Sequence, residues 1–233
     1  MGEPTDIERW LDSEFERLAE EAGARSFAAP GTIPADVLER CNYFLSFPGV
    51  AITAADGNGY FPPAACYHVY AQLQGTRLDA PYLGTLAATC GRNETGGADV
   101  AGRLAHFRMR EVVFVGPAVS VSRTRDEWMD RVTRFAGSLG LSGALAPATD
   151  MFFGNGGRGR RLMQQLKVLK YELSMNAGAG GMLAVSSFNL HGTFFTSRFD
   201  IRMADGSPAA SGCAAFGIER WALAYLAHHG CLR

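Results

Sequence analysis

LGTLAATCGRN (residues 83–93) and FRMREVVFVGPAVSV (residues 107–121) read as two β-strands joined by ETGGADVAGRLAH (94–106), a polar loop. The second segment alternates and is rich in β-branched residues, the pattern of a strand with one face in a core. Upstream, Ile7, Trp10, Leu11, Phe15 and Leu18 recur at steps of three and four, which predicts a helix over 6–22 stopped by Gly23. SFAAPGTIP (26–34) is extended and punctuated by Pro30 and Pro34. PADVLERCNYF (34–44) reads as a short helix, SFPGV (46–50) as a turn, and 49–66 as loop. Downstream, RDEWMDRVTRFAGSLG (125–140) is a helix stopped at Gly140. FFGNGGRGRR (152–161) is a glycine-rich basic loop, and LMQQLKVLKYELSM (162–175) is a helix or the lead-in to a strand. MLAVSSFNLHG (182–192) and FFTSRFDIRM (194–203) read as strands and ADGSPAASG (204–212) as a hairpin-type loop. The final segment, from Cys213, runs into a helix ended by His228, His229 and Gly230. Antiparallel strands with interspersed helices, and no internal repeat, predict one α+β domain over 1–233.

Bulk properties narrow the function. The chain has 233 residues, 47% apolar and 19% charged, with a formal net charge of −1. That is ample for a globular core and supplies no overall basic field for nucleic acid. No apolar run approaches the ~20 residues of a membrane span. The opening stretch MGEPTDIERWLDSEFERLAEEAG is acidic and amphipathic, neither a signal nor a transit peptide, so a cytoplasmic protein is expected. Five cysteines at wide spacing do not form a disulfide framework; each is a small core residue or a ligand.

Three local features carry chemistry weakly. The loop 152–161 offers backbone N–H groups and Arg158, Arg160 and Arg161 to a phosphate, yet it lacks GxxxxGK(S/T) and is not a G-x-G-x-x-G following a strand, so a surface loop is the plainer reading. Arg92 and Glu94 in CGRNE flank a strand end, where a salt-bridged turn is the plainer reading. Cys66, Cys90 and Cys213 belong to no CxxC pair, so a metal would need ligands gathered from distant segments.

In order, the pieces resemble one pattern. The N-terminal helix with GARSFAAPGTIP (about 6–34) is similar to motif 1 of the class II aminoacyl-tRNA synthetases, seryl type. CGRNE, a loop and HFRMRE (about 87–116) resemble motif 2, and SGCAAFGIERWALA (about 211–229) resembles motif 3. YFLSFPG, PPAACYHVY, ATDMFFG, LKYEL and SSFNLHG also look like family segments. The likeness is nearest to the amino acid:[carrier protein] ligases, homologues of the seryl enzyme that lack a tRNA-binding domain. It implies an antiparallel sheet flanked by helices and a homodimer built on motif 1.

The resemblance also implies a site. Arg92 would bind the α-phosphate of ATP and the amino acid carboxylate, Glu94 the adenine amino group, and Phe107 would stack on adenine. Arg220 would cover the other face of the base or meet the γ-phosphate; its planar fork suits both tasks. Glu172 would hold magnesium, and Asn189 would help hold the phosphate or metal shell. By resemblance Cys66, Glu111 and Cys213 would hold zinc, leaving one position open for the substrate's amino group. The implied reaction activates a small amino acid, glycine or alanine, as an adenylate and loads it onto the phosphopantetheine thiol of a small acidic carrier protein. Apart from the resemblance, the basic loop 154–161 (Arg158, Arg160, Arg161) is a candidate docking patch for an acidic carrier and reads equally as a solvated loop. The chain shows no long N-terminal coiled coil with which a seryl enzyme grips tRNA, so tRNA is not the expected acceptor. Two other readings stay open: a non-catalytic, synthetase-like binding or regulatory protein, and an adenylating enzyme with a small amine or tRNA as acceptor.

Overall fold

The computed structural model describes residues 4–55, 57, 59–93, 102–148 and 170–230. The first helix, α1 (Pro4–Glu21), buries Ile7, Leu11, Phe15 and Leu18, as their spacing predicts, and Gly23 at φ 84° turns the chain out of it. β1 (Arg25–Ser26) follows. The single helix expected over 34–44 is split into α2 (Ala35–Arg40) and α3 (Tyr43–Ser46), because Asn42 sits at φ 53°, outside the helical path. α4 (Cys66–Gln72) and the short β2 (Arg77–Leu78) lead to β3 (Tyr82–Gly91) and β4 (His106–Gly116).

Three further assignments change. β4 ends at Gly116, and α5 (Ala118–Ser138) starts at Ala118 rather than Arg125. Pro117 has no N–H to extend the ladder, and Val121 packs with Trp128, Val132 and Phe135 at helical spacing. After β5 (Gly143–Pro147), β6 (Lys170–Asn176) and β7 (Met182–Gly192), the segment read as a strand over 194–203 is instead the helix α6 (Phe194–Arg198) and the two-residue β8 (Arg202–Met203). Gly192 at φ 55° ends β7, and Phe195 and Phe199, one turn apart, both stack on Tyr70. Cys213, read as the start of the terminal segment, lies inside β9 (Ala210–Gly217), and α7 (Ile218–His229) begins after it.

Seven strands form one sheet in the order β1-β3-β4-β9-β7-β6-β5; β1 runs parallel to β3 and the other pairings are antiparallel. Period-two alternation divides each strand between two cores. Val112 and Phe114 of β4 meet Ala214 and Phe216 of β9 beneath α1, α5 and α7. Val113 and Val115 face the opposite way, with Cys213, toward α2, α4 and α6. On the first face Phe15 stacks on Phe216 at 4.3 Å and meets Trp221 edge-on at 5.1 Å. Asp12 of α1 accepts from Arg110 Nε at 2.6 Å and Arg108 Nη2 at 3.0 Å, which fixes α1 across β4. No described helix is long and apolar enough to cross a membrane.

Candidate active site

The face opposite α1 is only partly covered, and the strands line a cleft there. Alternation delivers Phe107, Met109 and Glu111 from β4, Cys213, Ala215 and Gly217 from β9, Ser187, Asn189 and His191 from β7, and Lys170 and Glu172 from β6. Register aligns them: Glu111 pairs with Ala215, Ala215 with Ser187, Asn189 with Cys213 and Glu172 with Ser187. α4 closes one end with Cys66, its first residue.

At that end one ligand atom each from Cys66, Glu111 and Cys213 lie within 4.8 Å of one another, all three residues buried. Glu111 Oε1 accepts from the Cys66 backbone N–H at 3.3 Å, one of the donors a helix start leaves unused. Its second oxygen, Oε2, is buried with no hydrogen-bond partner among the described residues. Burial raises the Glu111 carboxyl above its usual range, opposed by the neighbouring Cys213 and Cys66 thiols. The Cys66 thiol is held well above its ordinary value by its hydrogen bond to Cys213, by burial and by the Glu111 charge. For Cys213 the bond from Cys66 acts downward, but burial and Glu111 outweigh it and the thiol is raised. Burial and mutual proximity thus disfavour charge on all three acids. A divalent cation at their centre removes that conflict, and two sulfurs with one carboxylate form a donor set that suits zinc.

Two further groups reach Cys213. Asn189 Nδ2 donates to Cys213 Sγ at 3.3 Å and to Ser187 Oγ at 3.1 Å. His191 Nε2 lies 3.8 Å from the same sulfur, while its Nδ1 is 2.9 Å from the Tyr70 hydroxyl. Burial pushes His191 down to about 4, so the ring is neutral near pH 7.

The other end of the cleft carries planar and cationic groups. The Arg92 guanidinium lies over the Phe107 ring, 4.7 Å from its centroid. Arg220, in the first turn of α7, donates from Nε to the Gly102 carbonyl at 2.9 Å and from Nη1 to that of Ala184 at 3.0 Å. Gly217 lines the cleft beside it, and a Cβ there would meet nothing nearer than 3.6 Å, so no neighbour among the described residues demands glycine. Glu172 pairs with Lys170 and both line the wall. Phe107 and Glu111 are four residues apart on one strand, roughly 13 Å, so one extended ligand can touch both ends.

Glu94 and the loop 152–161, with Arg158, Arg160 and Arg161, lie outside the described residues, as does Cys231. Cys41 and Cys90 are buried, raised by burial, and do not line the cleft. The structure adds Lys170, Tyr70, His191 and Glu219 to the neighbourhood. Glu219 lines the cleft and accepts from the Arg108 backbone N–H at 2.6 Å. His191 was legible as the third of three polar residues at alternate positions in SSFNLHG; Tyr70, from α4, carried no such signal.

No protein-family model matches the chain. Amino acid–[acyl-carrier-protein] ligase 1 of Bradyrhizobium diazoefficiens is 33% identical over 94% of this chain and 78% of its own length. Ligase 2 of the same organism is 34% identical over 83% of the chain, which spans 66% of that protein. Among solved structures, the Methanopyrus kandleri seryl-tRNA synthetase, determined with an A. aeolicus tRNASec, superposes with a TM-score of 0.82 over 98% of this chain and 52% of its own. At 22% identity that likeness speaks for the fold, the class II synthetase architecture expected from the motifs.

Proposed function

The chain belongs to the amino acid–[acyl-carrier-protein] ligase family, and on that footing we propose that it activates a small amino acid, glycine or alanine, with ATP and loads it onto a carrier protein. The observation that carries this reading is the convergence of Cys66, Glu111 and Cys213 within 4.8 Å in the cleft that also holds Arg92, Phe107 and Arg220.

In the first step a carboxylate oxygen of the amino acid attacks the α-phosphorus of ATP, and pyrophosphate leaves with the electron pair of the broken P–O bond. Such a centre needs cations and positioning more than a protein base. Arg92 binds the α-phosphate and the carboxylate, and Arg220 covers the nucleotide or meets its terminal phosphate. Both must exchange contacts when ATP enters, Arg92 leaving the Phe107 ring and Arg220 its two carbonyls. Phe107 then stacks on adenine, and Glu94 accepts from its amino group. In the second step the carrier's phosphopantetheine thiol attacks the acyl carbon, a thioester forms and AMP leaves.

Zinc fits the trio by the orphaned Glu111 Oε2 and by the sulfur-rich donor set, with Cys66, Glu111 and Cys213 as its ligands. Bound there, zinc would supply Lewis-acid recognition of the substrate's α-amino group, which gives up its proton on binding, and would so reject substrates lacking that amine. Glu172 is the residue for magnesium, and Asn189 supports the metal side of the cleft. α1 and β1 serve a homodimer, which sedimentation at micromolar concentration tests; a monomer removes that element. The loop 154–161, with Arg158, Arg160 and Arg161, is the carrier's docking patch.

Two measurements test the core reading. ATP–pyrophosphate exchange over a panel of amino acids should respond to glycine or alanine and collapse on chelation, returning with zinc. Intact-mass analysis of a holo-carrier should then gain the aminoacyl increment, with the apo-carrier and tRNA unchanged. Exchange indifferent to chelation removes the metal, and exchange without carrier loading transfers the acceptor role to another nucleophile.

A further inference from the structure

Cys213 differs from the other members of the trio in what surrounds it. Its sulfur is met by the Asn189 amide at 3.3 Å and by His191 Nε2 at 3.8 Å, and neither His191 nor Tyr70 behind it has a part in the chemistry above. We propose that Tyr70 and His191 are positioning residues that orient the Cys213 thiolate and moderate its donor strength toward the metal, through a hydrogen-bond chain from the Tyr70 hydroxyl to His191 to sulfur. This inference rests on the metal reading of Cys66, Glu111 and Cys213 and concerns how one of those ligands is held.

The direction of the chain follows from what each group can do. A thiolate bound to a cation has lone pairs to offer and no proton, so an N–H must face it. A neutral imidazole carries one N–H. With Nε2 toward sulfur as the donor, Nδ1 is left as an acceptor, and the group facing it at 2.9 Å is the Tyr70 hydroxyl, which can donate. The opposite tautomer would set a nitrogen lone pair against a sulfur lone pair. The Asn189 amide repeats the arrangement with a second N–H, directly across the strand pair from Cys213.

The ring planes are held by packing. Tyr70 is fully buried and stacks on Phe195 at 4.2 Å with the planes 5° apart, while His191 meets Phe195 edge-on at 5.0 Å. Neither ring can turn without displacing Phe195. Two N–H donors on one sulfur withdraw charge from it and leave its remaining lone pair aimed at the ion. Such partners typically set ligand orientation, and losing one weakens metal binding about 10–100-fold.

The test uses the full chain, with zinc affinity measured by competition against a chromophoric chelator and cobalt(II) as a spectroscopic substitute. His191→Leu should lower zinc affinity about 10–100-fold and shift the sulfur-to-cobalt charge-transfer band to longer wavelength, because a sulfur without its N–H partner gives up an electron more easily. His191→Gln, whose amide can present an N–H near the Nε2 position, should hold both readouts close to the parent protein. Tyr70→Phe, which removes only the hydroxyl, should shift the band in the same direction by a smaller amount. It also decides the matter if His191→Leu does not fold. A parent-like affinity and cobalt spectrum in folded Tyr70→Phe and His191→Leu overturns the chain while leaving the metal site standing. A parent protein that takes up neither zinc nor cobalt overturns the metal reading and this inference with it.

Discussion

Replacing Gly212 with alanine should overpack the centre of the sheet. Gly212 lies in β9, beside Cys213, with Phe114 as its partner on β4 and Leu190 on β7. Its backbone is ordinary strand; what it contributes is space, since the Phe114 ring lies over the missing side chain. A Cβ there would fall 2.3 Å from Phe114 Cε2 and 2.5 Å from the Asn189 carbonyl oxygen, where ordinary contact begins at 3.4 Å. Ring and β7 backbone must therefore each give by about 1 Å. Neither yields easily: Phe114 is 2% exposed, and β7 is hydrogen-bonded to β6 and β9. Overpacking of this kind costs about 1–3 kcal/mol, and two unyielding neighbours argue for the upper end. At about 2–4 °C per kcal/mol for a chain this size, the melting temperature should fall by about 6–12 °C. The displaced β7 carries Asn189, so zinc affinity should fall too. Gly137→Ala is the control: it is exposed in α5, a Cβ there meets nothing within 4 Å, and the helix should gain about 0.5–1 kcal/mol. Circular-dichroism melts of both variants and a zinc titration read the result. A Gly212→Ala protein that melts with the parent refutes the packing of β4, β9 and β7 from which the site is built.

Asp12→Asn should destabilise by about 1–3 kcal/mol, because Arg110, 6% exposed, loses its nearest carboxylate but keeps Glu16 at 3.2 Å. Denaturant melts check it, and Arg110→Met in the same background should recover most of the loss. Trp221→Phe keeps an aromatic in the core but deprives buried Ser186 of the indole N–H at 2.9 Å; a loss of about 1–3 kcal/mol is expected, much reduced when Ser186 is alanine. Phe107→Leu should raise the KM for ATP in pyrophosphate exchange by about 5–150-fold, the equivalent of about 1–3 kcal/mol of base stacking, and an unchanged KM removes Phe107 as the adenine platform.

Much of the frame was legible along the chain. Ile7, Leu11, Phe15 and Leu18 describe one helix face, and all four are buried where that face meets the sheet. The alternation in FRMREVVFVG predicts Phe107, Met109 and Glu111 on one side and Val112 and Phe114 on the other, as observed. Misreadings fell where a short apolar run fits either period. AVSV after Pro117 reads as strand until Val121 is seen packing with Trp128, and FFTSRF reads as strand until Phe195 and Phe199 are seen against one ring, Tyr70. Residues of that kind take the period of whatever surface they meet, which lies far along the chain.

From its order of residues alone this protein has a helix-first α+β frame, a central hairpin around CGRNE and HFRMRE, and the chemical identities of a zinc-like donor set. Period and punctuation are local properties, and a short window records them. Only the tertiary structure decides that Cys66, Glu111 and Cys213 share one point while Cys41 and Cys90 stay apart from it, and that Tyr70 stands behind His191. Those facts depend on the register of β4 against β9 and on where α4 lands, which are set by the summed packing of two cores on opposite faces of one sheet.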